Sequence, residues 1–352
     1  MTSIAPIPPN FNFDDIEILK KAIQANTALA ELNGLILSLP NYEILLQPLT
    51  IREAVASSEI ENIRTTTIDI LQAEISHEIN NLSKEQKETL NYKEALLSGF
   101  QRIKKQEFLA TNDLVFIQEI LEPNKSGIRN QMGTVIADGK GKVIHTPPQE
   151  EKEIRDLMKN LDDFINNKED DIDPLIKMAI HHYQFETIHP FFDGNGRTGR
   201  IAMILYLILA GRLRYPALFL SGYILQNKAD YYRLLQEVRE KDSWKEWVLF
   251  ILEGVAIQSR ESSQKILAIS HLKKHWKEIL KTNYAQIYSV EILDYLFSQA
   301  FYTQTNMSSR LSISRPTSIK YLEIFEKEGL VKEKRVGKER LFYISAFLEA
   351  LQ

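Results

Sequence analysis

Cysteine is absent from the 352 residues. No disulfide can form, no thiolate can hold zinc, and cysteine usage says nothing about the redox compartment. A long apolar run is also missing. The longest falls well short of the ~20 residues that span a bilayer, so no membrane partner is expected. Residues 1–10 lack a basic segment followed by an apolar core, so no secretory signal is expected and the cytoplasm is the expected location. A basic excess is missing too: 43 Lys and Arg stand against 47 Asp and Glu, for a net charge of −4. That excludes a chain-wide positive field for nucleic acid. Hydrophobic residues make up 44 %, enough for substantial cores and two or three domains.

One stretch concentrates chemistry: His189-Pro190-Phe191-Phe192-Asp193-Gly194-Asn195-Gly196-Arg197-Thr198-Gly199-Arg200. It offers an imidazole base, a carboxylate for a metal, glycines for close backbone approach and two guanidinium groups for phosphate. The apolar run Ile201 to Ala210 follows and reads as a buried helix. The Gly-Asn-Gly turn therefore lies at a helix N-terminus, where free N–H groups and the dipole favour an anion. Gly194 to Gly199 also matches G-x-G-x-x-G, but a dinucleotide fingerprint needs a strand before it. Ile176, Ile180 and Tyr183 repeat at helical spacing instead, and His189-Pro190 then breaks the chain. No Lys-Ser/Thr follows the glycines, which excludes a Walker A loop.

The run resembles the signature of Fic proteins, His-Pro-Phe-x-Asp/Glu-Gly-Asn-Gly-Arg-x-x-Arg, with every defined position filled. The resemblance implies transfer of a nucleotide monophosphate, usually AMP from Mg-ATP, to a Ser, Thr or Tyr hydroxyl of a protein, including the chain itself. His189 suits the base by its ordinary pKa. Asp193 suits Mg²⁺, a hard ion that prefers oxygen. Gly194, Asn195 and Gly196 would meet the α- and β-phosphates, with the Asn195 amide as a donor. Arg197 and Arg200 would clamp the β/γ end, and Thr198 and Gly199 fall on the variable positions of this nucleotide-binding run. Phe191 reads as a core anchor. Nothing in the sequence fixes the base: UTP, GTP or another diphosphate-containing donor stays open, as does removal of AMP.

Upstream, Asp14 to Leu39 reads as one helix. Thr50-Ile51-Arg52-Glu53 fits a capping box, so a helix is expected from Thr50 to about Arg64, after a loop or short helix bracketed by Pro40 and Pro48. Ser57, Glu61 and Asn62 resemble the inhibitory motif of Fic proteins, Ser/Thr-x-x-x-Glu-Gly/Asn. The resemblance implies that Glu61 pairs with Arg200 and takes the place of the γ-phosphate; a carboxylate can mimic a phosphate oxygen for a guanidinium. Helices are expected over Thr67–Leu82, Glu85–Lys105 and Thr111–Leu121. Thr134 to Ile136 and Lys142 to His145 are β-prone around Asp138-Gly139-Lys140-Gly141, a hairpin signal. Fic proteins carry such a flap, which holds the target segment; Ile144 and His145 lie nearest its Pro-Pro stop. His181 and His182 read as core histidines rather than zinc ligands.

Beyond the signature, Ser221 to Asn227 reads as a connector and Ala229 to Lys241 as a helix. Tyr232, Gln236 and Arg239 share one face; in Fic proteins a Tyr-Tyr pair, here Tyr231-Tyr232, lines the adenine and ribose side. Glu261 to Lys281 reads as a helical bridge. Three helices near Val290–Phe297, Thr303–Leu311 and Arg315–Glu328, then strands around Gly337-Lys338, resemble a winged helix. Its basic excess is modest, so DNA binding and a docking or dimer role stand equal. The expected fold is mainly α: a Fic-type helical bundle with a β-hairpin flap and a C-terminal winged helix-turn-helix. The expected divisions are 1–110, 111–258, 259–284 and 285–352. A homodimer stays open, as does a DNA-binding regulator whose Fic core senses nucleotide.

Overall fold

The computed structural model describes residues 4–39, 42–75, 82–137, 139–336 and 339–351. Asp138, Gly337, Lys338 and Pro40 lie outside them, as do residues 76–81 of the expected third helix. Fifteen helices and five short strands form among the described residues. None of the helices is long and apolar enough to cross a membrane.

Helix α1 (Ile16–Ser38) starts on Asp15, whose carboxylate accepts from the N–H groups of Glu17 and Ile18. Its buried stripe, Ile18, Ala22, Ala25, Leu29, Leu32 and Ile36, packs along α11 (Trp244–Asn283). α2 (Tyr42–Ile60) contradicts the expected helix start. Pro48 lies inside it and Thr50 is buried mid-helix. The capping box does not form, because Glu53 has a different task. Its carboxylate is buried and accepts from the Tyr92 hydroxyl at 2.9 Å and from the Ser221 N–H at 3.0 Å and hydroxyl. Burial pushes its carboxyl above the usual range. It ties α2 to α4 (Lys84–Gln106) and to α9 (Leu220–Gln226), which replaces the expected connector.

α3 (Thr67–Ala73) is short. α4 carries the capping box of Ser83 and Gln86. α5 (Thr111–Leu121) is capped by Asp113, which accepts from the Ala110 N–H at 2.9 Å, while Thr111 donates to Asp162. The flap is smaller than expected: β1 (Ile136–Ala137) pairs antiparallel with β2 (Val143–His145), with a bulge, and Thr134 and Val135 stay outside. α6 (Glu151–Asn166) and α7 (Pro174–Ile188) lead to the signature, and α8 (Asn195–Leu209) is the buried helix after it. α7 is buried along almost its whole length. His181 meets Tyr206 edge-on and His182 stacks on Trp247, so both are core histidines.

α10 (Lys228–Lys241) precedes α11, one uninterrupted helix of 40 residues that contains the expected bridge, Glu261 to Lys281. Its far end serves the C-terminal part of one continuous core: Trp276 packs edge-on against Phe297 and Phe325. That part is built by α12 (Val290–Ser298), β3 (Phe301–Tyr302), α13 (Gln304–Leu311), α14 (Arg315–Lys327), β4 (Lys332–Val336), β5 (Glu339–Tyr343) and α15 (Ser345–Leu351). β3 and α15 were not expected. The sheet runs β3-β5-β4. α12 and α15 also rest on α2, so this module touches the helix that leads to Glu61.

Candidate nucleotide site

The signature lies on two helix ends. α7 stops because His189 takes a left-handed conformation, φ 49° and ψ 61°, with its N–H donating to Phe185 O at 2.9 Å. Non-glycine residues rarely adopt it without support. The support is Arg129, fully buried, which the sequence reading missed. Its Nε donates to His189 O at 2.8 Å, its Nη2 to Pro148 O, and its own N–H to Pro190 O at 2.9 Å. Burial and the nearby Arg129 charge lower the His189 pKa to about 4. The ring is therefore neutral near pH 7, and its buried Nδ1 has no hydrogen-bond partner.

Gly194 (φ 78°) caps α8 in the left-handed region where glycine is favoured. Asp193 precedes it. One carboxylate oxygen accepts from the Gly194 N–H at 2.8 Å, the other from Lys125 Nζ at 2.7 Å. Burial alone would raise its pKa, but Lys125 and the N–H outweigh that and hold it below the usual carboxylate range.

Asn195 differs from expectation. Its side-chain amide is buried, accepts from the Phe191 N–H and donates to Phe191 O, both at 2.9 Å. It braces the turn through both its oxygen and its amide nitrogen. Thr198 is fully buried, and its hydroxyl has no partner. Gly199 faces inward: a Cβ there would stand 2.6 Å from Glu186 Oε1 and 3.3 Å from His182 Cε1. Neither variable position presents a side chain to a ligand. Glu186 is a second residue the sequence reading missed. It is buried beside Arg200, and burial raises its carboxyl to about 7.

Gly196 faces the opposite way. A Cβ there would stand 2.2 Å from Glu61 Oε1 and 3.0 Å from Arg200 Nη1. The Glu61 carboxylate therefore lies against the start of α8, where a helix favours an anion. Arg200, 2 % exposed, donates Nη2 to Glu61 Oε1 at 2.8 Å and to Ser57 O at 3.0 Å, and Nε to Ser57 Oγ at 2.8 Å. α2 ends at Ile60 rather than near Arg64, so Glu61 lies in the cap. Asn62 takes φ 65°, and the N–H groups of Glu61 and Ile63 both return to Ser58 O at 3.0 Å. Asn is one of the few residues that tolerate that conformation. Arg197 is buried and donates Nη2 to Glu122 Oε1 at 2.5 Å; Glu122 also escaped the sequence reading.

The Tyr231-Tyr232 pair splits. Tyr231 is fully buried, with its hydroxyl 2.9 Å from His182 Nε2, and is a core residue. Tyr232 is 43 % exposed and packs edge-on against it. Arg239 donates to Thr187 Oγ1 and Gln236 Oε1, each at 3.3 Å. It lines a cleft of about 960 Å³ that also contains Ile144, His145 and Thr187. His145 Nε2 lies 2.8 Å from Thr187 O; burial and then Arg239 lower its pKa to about 4. Ile144 is exposed on the flap.

The fold is a helical bundle in which a glycine-rich helix start, two buried arginines and a neutral histidine come together, and sequence comparison gives it a family. The Fic/DOC family N-terminal model matches residues 19–101 and the Fic/DOC family model residues 102–207. The C-terminal domain of SoFic-like protein adenylyltransferases matches residues 272–347. The first two matches are contiguous and cover more than half of the chain. The chain belongs to the Fic/DOC family.

Protein adenylyltransferase Fic of Nematostella vectensis is 29 % identical over 145 residues, 40 % of this chain and 31 % of that protein. Protein adenylyltransferase fic-1 of Caenorhabditis elegans is 34 % identical over 83 residues, 23 % of this chain and 15 % of that protein. The matched stretch spans less than a third of these curated relatives. A solved Fic family protein from Desulfovibrio desulfuricans G20 superposes with a TM-score of 0.59 over 96 % of this chain and 98 % of its own, at 21 % identity. That likeness speaks to the fold.

Proposed function

We propose that the protein transfers AMP from Mg-ATP to a Ser, Thr or Tyr hydroxyl of a protein, itself included, and that Glu61 restrains the reaction. One observation carries this reading: a carboxylate on a buried arginine, against the first turn of α8, in a gap that only glycine at 196 leaves open. That place suits a phosphate by every criterion that admits the carboxylate.

In this reading the neutral His189 takes the proton of the target hydroxyl as its oxygen attacks the α-phosphorus, and pyrophosphate leaves toward Arg197 and Arg200. Asp193, an ionised carboxylate at the mouth that already attracts a cation, fits Mg²⁺; when bound, that ion neutralises charge on the α- and β-phosphates. The Gly194, Asn195 and Gly196 backbone N–H groups stabilise the developing charge. Arg129 holds the imidazole in place. Tyr232 is the aromatic wall for the base, and β2 with Ile144 and His145 is the edge for an extended target segment.

The chain divides in this reading into an N-terminal region with the inhibitory helix, a catalytic core over 111–258, a linker and a winged helix over 285–352. DNA binding receives no support from the last of these. Glu323 and Glu326 interrupt the basic face of α14, and Glu333 pairs with Arg340 at 2.6 Å on the hairpin.

Intact-mass measurement of wild type and Glu61→Gly after incubation with Mg-ATP, Mg-GTP or Mg-UTP tests the proposal. One added AMP on the variant, above the wild-type level, is the expected result. No nucleotide adduct with any donor overturns it.

A further inference from the structure

The structure assigns a second placeholder to the turn that follows α5, an inference that rests on the nucleotide reading above. Glu122 and Lys125 together form a charge-matched imprint of the magnesium–phosphate group: an ammonium where the metal would bind, and a carboxylate where a phosphate would bind.

Lys125 donates to Asp193 at 2.7 Å, and Glu122 accepts from Arg197 at 2.5 Å. The two belong to one turn, closed by the Lys125 N–H donating to Glu122 O at 3.0 Å. Its register is built in. Gln118, fully buried, donates Nε2 both to Lys125 O at 2.9 Å and to Asp193 O at 3.1 Å, and accepts from the Gly127 N–H at 3.0 Å. The turn is thereby pinned to the backbone of the residue whose carboxylate it neutralises.

Neither contact is a complete partnership. Arg197 is 3 % exposed, yet its Nε and Nη1 are buried with no hydrogen-bond partner. Glu122 therefore hydrogen-bonds the guanidinium by one corner, with Glu88 Oε2 a more distant anion 4.0 Å from Nη1, and a phosphate with three oxygens satisfies it better. The Lys125 and Asp193 side chains are 55 % and 44 % exposed, so water and dissolved cations reach the pair and its strength is small. An incoming metal must displace an ammonium, and an incoming phosphate must displace a carboxylate. Both placeholders ride on one turn, so a metal that takes Asp193 from Lys125 and a phosphate that takes Arg197 from Glu122 displace the two ends of the same turn and enter together. This restraint is separate from Glu61, which acts on Arg200.

Titration of full-length protein with Mn²⁺ in the absence of nucleotide, read by the EPR signal of the free ion, tests the imprint. Lys125→Met is expected to tighten the Asp193-dependent site by about two- to fivefold, the range a displaced surface ion pair allows. Lys125→Arg, which keeps the cation, is expected to match wild type. Glu122→Gln is expected to tighten ATP binding, measured by calorimetry, by a similar factor. A site lost in Asp193→Ala but unchanged in Lys125→Met, with ATP affinity unchanged in Glu122→Gln, overturns the imprint and leaves the nucleotide reading standing. No Asp193-dependent Mn²⁺ site, and no ATP binding in any variant, overturns both.

Discussion

Arg200 at the start of α8 and Arg340 on the C-terminal hairpin make the same contact on paper. Each donates to a glutamate, at 2.8 Å and at 2.6 Å. The arginines' settings are opposite, although Glu61, 35 % exposed, is more open than Glu333 at 19 %. The Arg200 side chain is 2 % exposed and meets three acceptors from one helix end; that of Arg340 is 44 % exposed. Distance alone therefore says little about what an ion pair does. A buried guanidinium must keep an anion, so whichever anion it keeps becomes a control point. An exposed one keeps water and salt as alternatives.

The sharpest way to break the contrast is to remove the group that the buried corner serves. His189→Ala is expected to lower AMP transfer, measured in the Glu61→Gly background, by about 10²- to 10⁴-fold, the usual worth of a positioned general base. The circular-dichroism melt should stay close to the parent, because the αL turn is held through backbone groups by Arg129. Transfer within tenfold of the parent removes His189 as the base.

The second effect is on stability. Glu53→Ala leaves the Tyr92 hydroxyl and Ser221 N–H buried without their acceptor. Such losses cost about 1–3 kcal/mol each when unrelieved, so a urea midpoint drop worth about 2–3 kcal/mol is expected. Glu53 anchors α2 one turn before Ser57, so the surviving folded fraction should also self-modify faster than wild type. A midpoint change below about 0.5 kcal/mol, the level of an ordinary surface substitution, would show that Glu53 is not an anchor.

The difference between buried and exposed groups also explains what the sequence disclosed. The signature run, the motif from Ser57 to Asn62 and the small flap are each short linear patterns; the Glu61–Arg200 contact joins two of them across the fold. α4 and α14 were legible because their serine caps fall where the helices begin; α5 and α8 have no side-chain bond from an N-cap residue and show only in their apolar residues. Arg129, Glu122, Lys125 and Glu186 were not, because none sits in a motif and each takes its role from a contact that only the fold makes. Gly199 shows the limit most clearly: it occupies a variable position, yet Glu186 fills the space its missing Cβ leaves. Glu53 misled because its spacing from Thr50 fits a cap, while tertiary hydrogen bonds to Tyr92 and Ser221 decide its place. Pro48 suggested a boundary that α2 ignores.

Glu186 supplies a pH-dependent effect of intermediate size. Its folded pKa is raised to about 7 from an unfolded value near 4.5. A raised value contributes stability that is full below pH 4.5 and is lost as pH rises through 7. Glu186→Gln has no carboxyl to ionise and escapes that loss. Relative to wild type the variant should gain stability between pH 4.5 and 7, by at most about 1.4 kcal/mol per pH unit. Melting both proteins across that window is the check; parallel curves would mean that the carboxyl does not titrate there. Glu61 also faces Glu186 across Arg200, so the same difference should change in the Glu61→Gly background.

The smallest effect belongs to the hairpin. Glu333 accepts from Arg340 at 2.6 Å and from Arg335 at 3.5 Å, and these contacts hold its carboxyl below the usual range. Glu333→Gln is expected to cost less than about 1 kcal/mol at low salt, because exposed pairs return little after side-chain ordering. The cost should shrink as salt rises toward 1 M, because ions and water compete for both exposed partners. Glu61→Gln, which leaves Arg200 buried with a neutral acceptor, should keep its effect on self-modification at moderate salt, because the guanidinium is 2 % exposed even though the Glu61 side chain is 35 % exposed. Equal salt sensitivity at the two sites would mean that the Arg200 corner opens to solvent as freely as the hairpin does, and burial would then not be what makes Glu61 a restraint.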